Sequence, residues 1–239
     1  MTQTGAQSGT PFEEQLRAAG ARFTLRDGRA VAADFGSVST EVAVCRRAVG
    51  IADVSQLGKL RVHAPAQILH SFVGHGDELG VGAVVHSGEG WWGRTAEEDL
   101  LAVVAPALTA RVLHRLEQDT SRRPASSVTD DTGTLAALVI VGPKAAPLLE
   151  RLGAGRSADA VRPTQDAAGI WTQEVDGVEI TVLAEAADRF VLLFLAGAAA
   201  RMWGMVLHLG EPMGASCVGA TALSMLDAAE PAPRRPLMS

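Results

Sequence analysis

The run Ala43-Val44-Cys45-Arg46-Arg47-Ala48-Val49-Gly50-Ile51-Ala52-Asp53-Val54-Ser55-Gln56-Leu57-Gly58-Lys59-Leu60-Arg61-Val62 holds the change of pattern from which the fold is read. Val42, Val44, Cys45 and Val49 recur at helical spacing over residues 38–49, and Gly50 follows as a C-terminal stop. From Gly58 the period changes. Leu60 and Val62 alternate with Lys59, Arg61 and His63, which marks a half-buried strand, and residues 64–73 return to helical spacing.

Strand followed by helix recurs outward from this run. Toward the N-terminus, Thr10 offers a cap, Pro11 suits a first helical position, and Phe12, Leu16 and Ala19 predict a helix over 10–21 with Gly20 as its stop. Toward the C-terminus, residues 79–85 are rich in Gly and Val, and 87–93 read as a loop carrying Trp91 and Trp92. A buried strand follows at 100–104, and a helix runs from Pro106 to about Gln118. Residues 120–127, with their Ser, Arg and Pro, form the most linker-like interior segment. A second cycle has a strand at 135–141, a Gly142-Pro143 turn and a helix at 143–152. A hairpin around Asp176-Gly177 spans 175–183, a strand 190–195, and helices 197–209 and 220–229. The expectation is an α+β protein of two similar lobes, 11–120 and 127–230, between flexible tails 1–10 and 231–239.

The 239 residues suffice for a sizeable core, and 47% hydrophobic with 20% charged residues lies in the globular range. A formal net charge of -6 with scattered Lys and Arg argues against nucleic acid. No segment has the run of about 18 apolar residues that a membrane helix needs, and residues 1–10 are polar, so a cytoplasmic location is expected. Cys45 and Cys217 are far apart with no metal-ligand spacing around them, so neither a disulfide framework nor a metal site is indicated.

The opening run resembles the segment of the glycine-cleavage aminomethyltransferase (T-protein) family in which an Ala-Val-Arg helix and a Gly precede Phe-Asp-Val-Ser-His-Met-Gly-Lys. The apolar strand, Gly-Pro and Ala-rich helix of 135–149, Asp188-Arg189-Phe190 with the Trp203 helix, and Val218-Gly219-Ala220 extend the resemblance over about 11–230. It implies the family's folate-binding fold, two similar αβ lobes around a central pocket, without the C-terminal barrel. The short form resembles the gamma subunit of heterotetrameric sarcosine oxidase. In aminomethyltransferases the pterin of tetrahydrofolate sits in the central hole, and an Asp in an Asn-Glu-Asp-Gly-Gly-type loop supports transfer of the one-carbon unit.

The sequence departs from that pattern where the ligand would be held. The loop is shorter here, running from His86 through Glu89 to Trp91 and Trp92. The Glu that holds the pterin in the family corresponds to Val191, and an Arg of its closing motif to Met225. Glu185 and Arg189 read as a solvated strand edge. Tyr is absent, and His86 takes the place of a family Tyr. Around His86 gather His70, His75, Asp77 and Glu89, a density of acid/base groups that suggests proton transfer by His86, Asp77 and Glu89. Gln56, Leu57, His70, His75, Trp91, Trp92, Val191 and Met225 are the candidate pocket lining. Adjacent tryptophans ordinarily place one ring inward and one outward. Three readings follow. The first is a diverged enzyme acting on a small organic molecule, by folate-linked one-carbon transfer or by acid/base cyclisation, condensation or isomerisation. The second is a non-catalytic subunit with partner subunits, and the third a folate-binding protein without chemistry.

Overall fold

The computed structural model describes residues 9–73, 79–155 and 168–229. An N-terminal unit comes first: helix α1 (Glu13–Ala18), the hairpin β1 (Arg22–Arg26) and β2 (Arg29–Asp34), helix α2 (Val38–Arg47) and strand β3 (Val49–Asp53). Two units of like order follow. The first is β4 (Gly58–His63), α3 (His70–Val73), β5 (Val84–Ser87), β6 (Gly90–Ala96), β7 (Asp99–Val104), α4 (Thr109–Ser121) and β8 (Ser127–Asp130). The second is β9 (Leu135–Val141), α5 (Ala145–Leu152), β10 (Gly169–Val175), β11 (Val178–Ala186), β12 (Arg189–Leu195), α6 (Ala199–Gly210) and β13 (Ala215–Cys217), and helix α7 (Ala220–Ala229) closes the described chain. The neighbour orders of the two sheets match, β5-β6-β7-β4-β8 and β10-β11-β12-β9-β3-β13, with β3 inserted into the second.

The α+β architecture with two similar units is therefore present, but the sheets do not divide the chain at 120–127. Strand β8 begins at the last residue of that segment and pairs with β4, while β3 lies well ahead of it and pairs with β9 and β13. The Ser, Arg and Pro residues there mark a tight turn between α4 and β8.

Four layers result. Strand β9 is apolar throughout because both its faces are buried. Ala136, Leu138 and Ile140 face a core shared with Phe12 just ahead of α1, Leu16 of α1, Leu148 of α5, and Met202, Trp203 and Val206 of α6. Ala137, Val139 and Val141 face the other sheet, meeting Leu101 and Val103 of β7 in an apolar layer that includes Val191 and Leu193. Behind the five-stranded sheet, Leu60, Val62, Trp92 and Ala102 pack on Phe72, Val112 and Leu116.

Several local expectations change. Val49 is fully buried and belongs to β3, and Gly50 is a strand residue, not a helix stop. A Cβ at Gly50 would lie 2.4 Å from Cys45 Sγ, so glycine lets α2 lie against its own following strand. The helix expected over 10–21 is shorter and starts after Phe12, whose N–H donates to Thr10 Oγ1 at 3.3 Å, while the Thr10 hydroxyl donates to the Asp53 carboxylate. Within 64–73 only the short turn Ala66–Ile68 and α3 are helical. The stretch 87–93 is not a loop, because Trp91 and Trp92 lie in β6 and pair across a hairpin with β5.

A buried polar cluster joins the two sheets below the β3–β4 turn. Lys59 is 0% exposed, its Nζ donates to Ser55 O at 2.8 Å, and its backbone N–H donates to Thr132 Oγ1 at 3.0 Å. Asp53 accepts from Ser55 N at 2.9 Å. Burial raises the Asp53 pKa, and burial lowers that of Lys59 to about 8 in spite of the neighbouring Asp53 carboxylate. An unfolded lysine, near 10.5, then binds more protons than the folded one between about pH 8 and 10.5, so stability rises with pH in that window. Burial also moves Cys45 and Cys217 from 9.0 to about 11, so above pH 9 the folded chain holds more protons than the unfolded one and stability falls again. With no tyrosine to titrate there, the melting temperature is expected to climb from pH 8 to about 9 and then level or drop. Thermal melts across this range should lose the climb in Lys59→Met; an unchanged climb would remove Lys59 as its source.

Candidate functional site

The β5–β6 hairpin sets His86 opposite Trp91 on one face, with ring centroids 4.9 Å apart and planes at 67°. The period-two alternation of a strand turns the next residue, Trp92, to the other face. It is 0% exposed, and its Nε1 donates to Ser87 Oγ at 3.0 Å. One tryptophan in and one out is thus the observed arrangement. Gly90, at φ 150°, lets the hairpin lie against β7, since a Cβ there would come 2.3 Å from Val103 O. In the turn, Glu89 receives a hydrogen bond from Arg115 Nη2 of α4 at 2.7 Å, and Arg115 lies over the Trp92 ring at 5.6 Å.

Facing this hairpin across the gap between the sheets are the ends of β11 and β12. A register shift between Ala184 and Ala186 makes Glu185 an extra residue on β11 and re-aims its side chain. Glu185 pairs with Arg189 at 2.8 Å, and Arg189 also binds the Asp227 carboxylate of α7. The Glu185 and Arg189 side chains are only 16% and 19% exposed, so the expected solvated edge is instead a wall. Together these residues and Leu57, Val103 and Ala105 enclose a cleft of about 650 Å³, which is within the range of small-molecule sites. Partial burial lowers the His86 pKa from 6.5, leaving a neutral imidazole at pH 7 that can accept a proton.

Of the sequence-derived candidates, Leu57, His86, Glu89 and Trp91 meet in this cleft. Gln56, next to Leu57, lines a separate small cavity. Val191 lies 2% exposed in the inter-sheet layer, Met225 is 53% exposed on α7, Trp92 is in the rear core, and His70 begins α3 behind the five-stranded sheet. His75 and Asp77 lie outside the described residues. Among the described residues no three His, Cys, Asp or Glu side chains gather to hold a metal. Sequence reasoning missed the Glu185, Arg189 and Asp227 wall. Its only advance signal was charge at the turn between two apolar strands.

The profile of the GCVT N-terminal domain matches residues 12–230. The fold is similar to that of the glycine cleavage system aminomethyltransferase T from Bartonella henselae, with a TM-score of 0.72 and 18% identity over 91% of this chain and 61% of that one. This chain therefore spans about 61% of that relative's length. It is also similar to a chain of the heterotetrameric sarcosine oxidase from Corynebacterium sp. U-96 in complex with pyrrole 2-carboxylate, with a TM-score of 0.61 and 16% identity over 87% of this chain and 97% of that one. No curated protein sequence matches. With 12–230 covered by the profile, the chain belongs to the family of the GCVT N-terminal domain.

Proposed function

We propose that this chain is a diverged aminomethyltransferase-like enzyme whose inter-sheet cleft takes a flat small organic molecule and moves one of its protons through His86. The observation that carries this is the convergence of a neutral imidazole, an aromatic wall at Trp91 and a fixed ionic wall at Glu185, Arg189 and Asp227 around one cleft of about 650 Å³. Trp91 offers a face for stacking, and His86 at its edge is placed to accept a proton from a molecule held there. Among the described residues, three carboxylates, Glu89, Glu185 and Asp227, line the cleft beside one lining cation, Arg189. Their balance, even with Arg115 counted, favours a ligand bearing a basic nitrogen over an anionic one.

Tetrahydrofolate, which the family resemblance implies, would lack the paired contact that the family's Glu supplies. At the position of the family's pterin-holding Glu stands Val191, which is 2% exposed and has no polar side-chain atom. A pterin donor left unpaired there would cost about 1–3 kcal/mol. The reaction is accordingly read as acid/base conversion of the bound molecule without a folate step.

A panel of flat amines and folates, followed by thermal shift, tests this reading. Binding at 100 times the dissociation constant adds about 2.7 kcal/mol. Some amine-bearing heteroaromatic is expected to stabilise the chain, with the response lost in Trp91→Ala, while 5-formyltetrahydrofolate gives no shift. Stabilisation by folates would restore one-carbon transfer. No response to any ligand would favour a second reading, a partner-bound subunit. That reading draws on the 97% coverage of the sarcosine oxidase chain and on the exposed Leu25, Val81, Leu195 and Met225, and it expects copurification with other chains.

A further inference from the structure

Gln56 and Leu57 are neighbours in the β3–β4 turn but open onto different hollows. Leu57 lines the cleft, while Gln56 lines a separate cavity of about 180 Å³ with Thr10, Arg29, Ser55 and Thr132. Arg29 is the one charged side chain among the described residues that line this second hollow, and the charged groups next to the lining are engaged elsewhere. Asp53 is engaged by Ser55 N–H and the Thr10 hydroxyl, Asp130 accepts from Thr132 N at 2.9 Å, and Asp131 is paired with Arg61 at 3.1 Å. Lys59 is buried and bonded to Ser55 O. Arg29, half-buried at the start of β2, has no carboxylate partner among the described residues, and its charge acts on Lys59, a like charge. The Gln56 carboxamide is likewise without a hydrogen bond among the described residues. The Thr132 hydroxyl oxygen accepts from Lys59 N, so its own proton remains to be given.

We propose that this cavity is a binding site for one small oxyanion, a carboxylate or a tetrahedral phosphate or sulfate, gripped by the Arg29 guanidinium and hydrogen-bonded by Gln56 and Thr132. A planar guanidinium presents paired N–H donors that match two oxygens of such an anion. The volume, that of roughly six water molecules, admits a compact anion but not a whole nucleotide. The site is independent of the cleft and of any reaction there.

Isothermal titration calorimetry of the full chain in chloride buffer, with acetate, phosphate and sulfate as separate titrants, tests the assignment. Saturable binding of one anion per chain is expected. Response to acetate alone would identify a carboxylate, and response to phosphate and sulfate a tetrahedral group. Arg29→Gln should weaken binding about tenfold or more, and Arg29→Lys, which keeps the charge but not the fork, should weaken it by a smaller factor. Melting in chloride should be little changed in either variant, because Arg29 has no ion pair among the described residues. Absence of saturable binding by all three titrants, or affinity unaltered in both variants, would overturn the proposal.

Discussion

Val191→Glu is expected to lower folding stability by about 3–5 kcal/mol, because it places an unpaired carboxylate in a dry apolar layer. Val191 is 2% exposed, opposes Val139 on β9 and Leu183 on β11, and shares its core with Leu101 and Val103 of the other sheet. The side chains packed with it in that layer are apolar, so the group would remain protonated or open the sheets. Leu195→Glu is the control. It lies four residues farther along the same strand on the same face and is 61% exposed, so its effect should stay within about 0.5 kcal/mol. Denaturant midpoints of the two variants compare them directly. A well-tolerated Val191→Glu would mean that water reaches the position, and the case against a pterin there would lapse.

How far the fold could be read from sequence varied with the strength of the local signal. The 135–141 run, the Gly142-Pro143 turn and the Asp176-Gly177 hairpin each carry an unambiguous cue, and all appear as strand β9, the start of α5, and the β10–β11 hairpin. Asp176 and Gly177 both have positive φ, 49° and 73°, which is what a tight two-residue hairpin turn demands. Strand β3 was hidden because Val49 also continues the helical spacing of Val42 and Cys45, and only the tertiary contact explains the glycine after it. The β6 strand was hidden by glycines on both sides of its tryptophans, which locally resemble a loop.

The site was less legible, for a physical reason. A cleft between two sheets draws its walls from residues remote in sequence, and side-chain direction depends on register. Leu57, His86, Glu89 and Trp91 were singled out and do converge, whereas the ionic wall depends on a bulge at Glu185 that no local pattern announces. Asp227 reaches Arg189 only through the packing of α7 beside α2 and β2. Likewise, Gln56 and Leu57 differ in their hollows because the turn directs consecutive side chains apart.

His86→Ala should have the largest effect on function. Loss of a positioned general base typically costs 10²–10⁴-fold in rate, and alanine keeps the strand while removing the only histidine among the described cleft-lining residues. Because the His86 pKa lies below 6.5, wild-type turnover should hold near neutral pH and fall as acid protonates the ring. The most direct measurement is therefore the pH dependence of kcat for wild type and His86→Ala, on the amine that stabilises the chain in the binding panel. A fall of about 10²–10⁴-fold in kcat with binding retained is expected, with loss of the acid limb below pH 6.5 in the variant. Full turnover in His86→Ala, with the acid limb intact, would contradict it.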